Sequence, residues 1–247
     1  MRMYRAALVG GCLAAAAALG STGARSLEGG ALARAGDPLA RASVAVGTLV
    51  SGGDYLGASR CTGVLIAPDL VLTAAHCVRG NSLAAIVLFY EGPRPIASPQ
   101  PVAAVARYDV VEDDVPSEYV GRLSDLTLDT AILRLATPVR SRRPVAIARR
   151  SPPYPTRLRL AGAGLSGQGE GILRTTILEP FLMTSTGLTI ARVRGGLVCR
   201  GDSGGPVVVD GRGGPALWGV ASAIITSQPP CGNIVVIAPA IPSVGRS

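Results

Sequence analysis

Gly201-Asp202-Ser203-Gly204-Gly205-Pro206 and Leu72-Thr73-Ala74-Ala75-His76-Cys77 are the stretches on which the reading of this chain turns. Taken singly, each has an ordinary explanation. A Gly/Pro-rich hexapeptide is most simply a tight turn, and a lone histidine is usually a structural side chain. This chain, however, has only one histidine, placed directly before a cysteine, and the turn carries Asp-Ser between its glycines. A third stretch, Asp129-Thr130-Ala131-Ile132-Leu133-Arg134-Leu135, opens with a carboxylate. Its apolar strand Ala131-Ile132-Leu133 can carry Asp129 into a buried site. Asp109, Asp113, Asp114 and Asp125 compete for that place, but Glu112-Asp113-Asp114 reads as a solvated acidic loop. A hydroxyl, an imidazole and a shielded carboxylate are the parts of a nucleophilic site.

Together these segments resemble the trypsin/chymotrypsin family of serine peptidases. Cys61-Thr62-Gly63-Val64-Leu65-Ile66, followed by Thr73-Ala74-Ala75-His76-Cys77, is similar to that family's histidine signature. Residues 201–206 are similar to its nucleophile loop, and residues 129–135 to its catalytic-Asp strand. The order His, Asp, Ser also matches, and differs from that of subtilisins and α/β-hydrolases. The resemblance spans about 43–241. It implies an all-β fold of two six-stranded antiparallel Greek-key barrels with the active site in the cleft between them. It further implies Ser203 as nucleophile, His76 as general base and then acid, and Asp129 as the orienting carboxylate. The residue types suit those roles. A serine hydroxyl is a weak nucleophile near neutral pH, and imidazole, with an ordinary pKa of about 6.5, is the natural base there. A carboxylate on the far ring nitrogen fixes the tautomer and stabilises the imidazolium. The backbone N–H groups of Gly201 and Ser203 would aim at the oxyanion.

The resemblance extends beyond the three motifs. Gly162-Ala163-Gly164 resembles the family's Gly-Trp-Gly turn with Ala in place of the aromatic, and Leu217-Trp218-Gly219-Val220-Ala221-Ser222 resembles the strand whose serine supports the catalytic Asp. Ser222 is therefore expected behind Asp129. The substrate pocket is expected around Leu197, Val198, Ser222 and Ile224. None of these is acidic, so cleavage after Arg or Lys is disfavoured, and a β-branched Ile224 should narrow the pocket toward small or medium apolar residues. Asp202, just before the nucleophile, needs a partner if buried. The family supplies a freed Ile or Val N-terminus. Here no Ile-Val-Gly-Gly occurs; Leu27-Glu28-Gly29-Gly30 has a partly similar shape but sits far upstream. The end of the chain soon after Ile241-Pro242 and the small number of cysteines make the pattern closer to secreted bacterial members than to animal digestive enzymes.

Composition agrees with a β fold. The 247 residues are 48% hydrophobic and 16% charged, too apolar for a disordered chain, and 32 Gly with 19 Pro imply many tight turns. Strand signals recur at 44–50, 64–67, 70–73, 84–90, 102–108 and 129–135, then at 156–160, 175–183, 206–209, 216–225 and 234–238, and no convincing amphipathic helix appears. The first set fits one barrel at about 41–140 and the second another at about 150–247, joined by an Arg-, Ser- and Pro-rich connection.

Met1 to Arg5 is short and basic, Ala6 to Leu19 is apolar, and Ser21-Thr22-Gly23-Ala24 is small. This is the pattern of a secretory signal over 1–24, with 25–40 a linker or short pro-segment. The run is too short to span a membrane. Cys12 leaves with the leader, and Cys61, Cys77, Cys199 and Cys231 remain, an even number that fits disulfides in a secreted protein. Four cysteines allow three pairings; Cys61–Cys77 with Cys199–Cys231 closes two short loops. A zinc site is disfavoured, since there is no CxxC and only one histidine, and no metal or other cofactor is expected. The net charge is +8, falling to +6 on loss of Arg2 and Arg5, and all basic residues are scattered arginines. No basic run interleaves with aromatics, so no nucleic-acid partner is expected. The expected protein is a secreted serine endopeptidase, extracellular or periplasmic, acting as a monomer on polypeptides. The alternatives are a catalytically silent homologue serving as a binding module, or an esterase on the same scaffold.

Overall fold

The computed structural model describes residues 27, 29–52, 55–78, 81–107, 129–150, 153–165, 170–226 and 229–240. The leader, the acidic loop and the four rival aspartates lie outside the described residues. The elements are β1 (Ala31–Leu32), α1 (Pro38–Ala42), β2 (Ser43–Gly52), β3 (Tyr55–Ala67), β4 (Leu70–Thr73), β5 (Asn81–Phe89), β6 (Gln100–Arg107), β7 (Ala131–Leu135), β8 (Ala146–Ile147), β9 (Leu158–Gly162), β10 (Arg174–Met183), β11 (Thr189–Arg194), β12 (Val198–Cys199), β13 (Pro206–Gly211), β14 (Gly214–Ile225), β15 (Cys231–Gly232) and β16 (Ile234–Pro239).

The first barrel closes in the order β2-β3-β4-β7-β6-β5. Its core holds Val44, Val46, Leu65, Val71, Val87, Phe89 and Leu133, alternate residues of their strands. In the second barrel β9 pairs with both β10 and β13, so β10-β11-β16-β14-β13-β9 also closes, and every one of these pairings is antiparallel. Leu158, Leu160, Leu178, Val207, Trp218, Val235 and Ile237 fill it. Two closed six-stranded barrels are therefore present, as the sequence implied. Closure removes the exposed strand edges that an open sheet would present.

Residues from both barrels share a third core. Val64 and Leu72 from the first meet Ala161, Val208, Leu217 and Ala238 from the second, with Leu39, Ala40 and Ala42 of α1 among them. Within the segment expected as a linker or short pro-segment at 25–40, Leu27, Ala33, Leu39 and Ala40 are buried. Asp37 caps α1 by accepting from the Leu39 N–H, with Pro38 in the first turn where its missing N–H costs nothing. Arg159 grips Asp37 on one side at 2.7 Å and Asp210 on the other at 2.8 and 2.9 Å, tying that turn to the second barrel. The helix, only five residues long, was not expected from the sequence. The strand β11 gave no signal, because its Arg and Thr residues mask the alternation.

Candidate active site

His76 lies on a single 3₁₀ turn, Ala75–Val78, that follows β4. The Cys61–Cys77 disulfide pins that turn to β3, and Cys199–Cys231 joins β12 to β15. Both pairs are the local ones. The ligand-type atoms of Cys61, His76 and Cys77 lie within 4.8 Å of one another, but the two sulfurs are joined to each other in a disulfide and are not thiolate ligands.

Asp129 precedes β7, which pairs with β4, and so arrives beside the histidine turn. Its carboxylate is 4% exposed. One oxygen accepts the His76 backbone N–H at 2.9 Å, and the other faces His76 Nδ1 at 2.8 Å. The Ser222 hydroxyl donates to that second oxygen at 2.5 Å. Burial alone would raise the Asp129 pKa, but the His76 charge and the hydrogen bonds from the His76 ring, Ser222 and the His76 backbone outweigh it. The carboxylate is held below its ordinary range. Three donors on one buried carboxylate fix the ring's orientation, leaving Nε2 outward, 3.8 Å from the Cys77 sulfur.

The same sulfur lies 3.8 Å from the Ser203 carbonyl, which brings the loop at 201–206 beside the histidine turn. The loop itself is held by Thr62 of β3. Thr62 N–H donates to the Ser203 carbonyl at 2.8 Å, its hydroxyl donates to the Gly201 carbonyl at 3.0 Å and accepts the Ala163 N–H at 3.0 Å, and its own carbonyl accepts the Thr73 hydroxyl at 2.7 Å. Within the loop the Asp202, Gly204 and Gly205 N–H groups donate to the Cys199, Ala221 and Asp202 carbonyls. Neither the Gly201 nor the Ser203 N–H donates to another described residue. Gly204 must be glycine: at φ +77°, an added Cβ would lie 2.1 Å from the Thr73 hydroxyl and 2.2 Å from the Thr62 carbonyl. Gly162 and Gly164 make room of another kind. A Cβ on either would enter the space of the Asp202 carboxyl, at 2.4 Å from its oxygen for Gly162 and 2.9 Å from its carbon for Gly164.

Asp202 is wholly buried. It accepts from Gly164 N–H and Cys199 N–H, both at 2.8 Å, and from the Leu27 backbone. No cation reaches it among the described residues. Burial pushes its pKa up to about 6, against the opposing pull of those three backbone donors.

The pocket residues divide. Val198 is 1% exposed and packs with Leu27 and Leu158 in the barrel core, so it lines nothing. Leu197 is half-buried at the start of β12. Ile224 on β14 reaches across to Gly232 on β15, where an added Cβ would stand 2.3 Å from the Ile224 Cγ2. Thr62, Thr73 and Gly232 were not singled out by sequence for these tasks, and Leu27 only as the start of Leu27-Glu28-Gly29-Gly30. The Cys-Thr-Gly and Leu-Glu-Gly-Gly contexts were their only visible signals.

Residues 36–242 match the family model described as Trypsin. The chain belongs to the trypsin family. It is 31% identical over 174 residues to serine protease 56 of Mus musculus, and 32% over 175 residues to that of Homo sapiens. Each alignment covers 61% of this chain but 27% of the relative, so the chain spans about a quarter of those proteins. As a trypsin-family fold it is similar to a structure titled HL collagenase, with TM-score 0.64 and 18% identity over 85% of this chain and 92% of that one. It is also similar to the scabies mite inactivated protease paralogue S-D1, with TM-score 0.61 and 19% identity over 86% and 92% of the two chains. The two serine protease 56 relatives are mouse and human proteins, and the expected leaning toward bacterial members has no support here.

Proposed function

We propose that this trypsin-family chain is a secreted serine endopeptidase using His76, Asp129 and Ser203. The observation that supports it best is the buried Asp129 carboxylate fixed to His76 Nδ1 and Ser222. Nε2 takes the Ser203 proton as the hydroxyl attacks the scissile carbonyl. Asp129 stabilises the imidazolium, and the Gly201 and Ser203 N–H groups take up the oxyanion. The imidazolium then protonates the leaving amine, and water, activated in turn by the same nitrogen, hydrolyses the acyl-enzyme. The two disulfides agree with an oxidising compartment, and no helix among the described residues is long and apolar enough to cross a membrane. A fluorophosphonate probe tests the reading: labelling should map to Ser203. Complete failure of the matured protein to label would favour the silent homologue, an alternative to which the burial of Asp202 without a cation among the described residues also points. Faster turnover of esters with no peptide cleavage would instead favour the esterase.

The contact between Ile224 and Gly232 supports a shallow pocket that takes Ala, Val or Leu before the cut, with Leu197 adding no charge. An arginine head buried there would stay unpaired, a cost of several kcal/mol. Replacing Ile224 by glycine should raise kcat/KM for Phe or Tyr at that position roughly tenfold or more relative to Ala. A peptide-library profile checks this, and dominant cleavage after Arg or Lys would refute the apolar pocket.

A further inference from the structure

Arg150 lies in the connection between the two barrels and turns its guanidinium against the second one. The group sits over the Trp218 ring, 4.4 Å from its centroid, and Nη2 donates to the Thr189 hydroxyl at 3.1 Å. Trp218 Nε1 donates to the same oxygen at 3.0 Å. Arg150 Nε and Nη1 are buried, and neither has a hydrogen-bond partner among the described residues. Gly187 leaves the space beside Nη1, since a Cβ there would stand 3.2 Å from that nitrogen. Tyr154 stands edge-on to Trp218, with ring centroids 6.4 Å apart. The Thr189 oxygen already accepts twice, so its own hydrogen is a further donor pointed elsewhere. Arg150, Trp218 and Thr189 together present donors in excess of acceptors.

The charge is unbalanced as well. From residue 130 to residue 247 the carboxylate side chains are Glu170, Glu179, Asp202 and Asp210. Glu170 pairs with Arg60, Glu179 with Arg194 and Asp210 with Arg159, while backbone N–H groups hold Asp202. Among the described residues no carboxylate forms an ion pair with Arg150. Burial lowers the Arg150 pKa to about 10, against an opposing pull from the Tyr154 phenol, so the guanidinium stays charged at neutral pH. A shielded cation without a counter-charge is costly. Water at this place would bring acceptors but no charge.

We propose that Arg150, Thr189 and Trp218 form a binding site for a small monovalent anion of the halide class. Arg150 Nε and Nη1 and the Thr189 hydroxyl are the donors, and the Trp218 ring is the wall beneath the guanidinium. A single-atom anion suits the site, because both nitrogens are shielded and the space at Gly187 is that of a missing methyl group. Arg150 belongs to the connection, Thr189 to β11 and Trp218 to β14. A bound anion therefore fastens the connection to the second barrel. The proposal is independent of the peptidase reading, since none of these residues touches His76, Asp129 or Ser203.

Trp218 is the single tryptophan of the chain and is 2% exposed, so its fluorescence reports on this site and is shielded from collisional quenching. The test is to titrate the purified protein with sodium iodide, holding ionic strength constant with sodium gluconate, and to repeat the titration in chloride and in sulfate. Expected is quenching that saturates. Its midpoint should rise about threefold when chloride stands at twice its Kd, and should not move in sulfate at equal ionic strength. Chloride at roughly ten times its Kd should also raise Tm by about 3–6 °C over gluconate. Arg150→Met keeps the length of the side chain, removes the charge, and should abolish both the saturable quenching and the Tm response. Linear quenching indifferent to chloride, equal competition by sulfate, or an unaltered response in Arg150→Met each overturns the proposal. If Arg150→Met does not fold, Thr189→Val takes its place: loss of the hydroxyl should raise the iodide midpoint by about threefold or more, and an unchanged midpoint overturns the proposal.

Discussion

Ser203→Ala lowers peptide turnover by about 10⁶-fold while leaving the fold intact, the loss seen when a serine peptidase is deprived of its nucleophile. The side chain removed is one hydroxyl, and the loop around it is held by the backbone of Ser203 and Gly201, not by that hydroxyl. The melting temperature should therefore hardly move. His76→Ala costs a similar factor, and the double variant little more, because the hydroxyl is useless without the base and the base without the hydroxyl. Steady-state kinetics with a peptide that has Ala or Val before the cut, set beside a thermal melt, decides it. Near-normal turnover in Ser203→Ala would end the proposed mechanism, and a large fall in stability would make the kinetic loss uninformative.

Asp129→Asn should cost on the order of 10⁴-fold in kcat. The shape is kept and the charge is lost, and the amide presents a donor as well as an acceptor to a place where His76 Nδ1 must donate. The imidazole can then flip its proton to the side facing Ser203. Because the native carboxyl is held below its ordinary pKa, it stays ionised as pH falls into the mildly acidic range, and the stability it lends is lost only as pH drops through that lowered value. Ser222→Ala removes a single donor from the same oxygen. It should cost far less, about tenfold in kcat, the worth of one hydrogen bond to a charged group. Equal losses in the two variants would show that Ser222 does more than hold Asp129.

The three motif segments were legible in the sequence because their chemistry is carried by residue type, and local order fixes type. The two barrels were legible because β2, β4, β7 and β13 alternate over runs of apolar residues with few interruptions. The short helix at 38–42 and the packing of 27–42 were not. Five helical residues make almost no periodic signal, and Leu39 or Ala40 reveals its burial only once both barrels exist to bury it. Val198 misled for a related reason. As the neighbour of Leu197 it was expected at the pocket, but a strand alternates faces, and its side chain turns into the core. The relation between Ile224 and Gly232 needed two strands and a register, which no local pattern specifies.

Thr62 gives the molecule a mechanical property. His76 rides on one barrel and Ser203 on the other, and one short side chain with its flanking backbone ties the first barrel to Ser203, Gly201 and Ala163 of the second. The shared core of α1 with both barrels lies along the same seam. Slippage along that seam would break these hydrogen bonds together, so the halves behave as one cooperative unit with a single melting event. Under rising urea, catalysis should vanish in the same transition as the fluorescence change of Trp218. An enzyme that lost activity well before the tryptophan responded would have a hinge where this structure has a clamp.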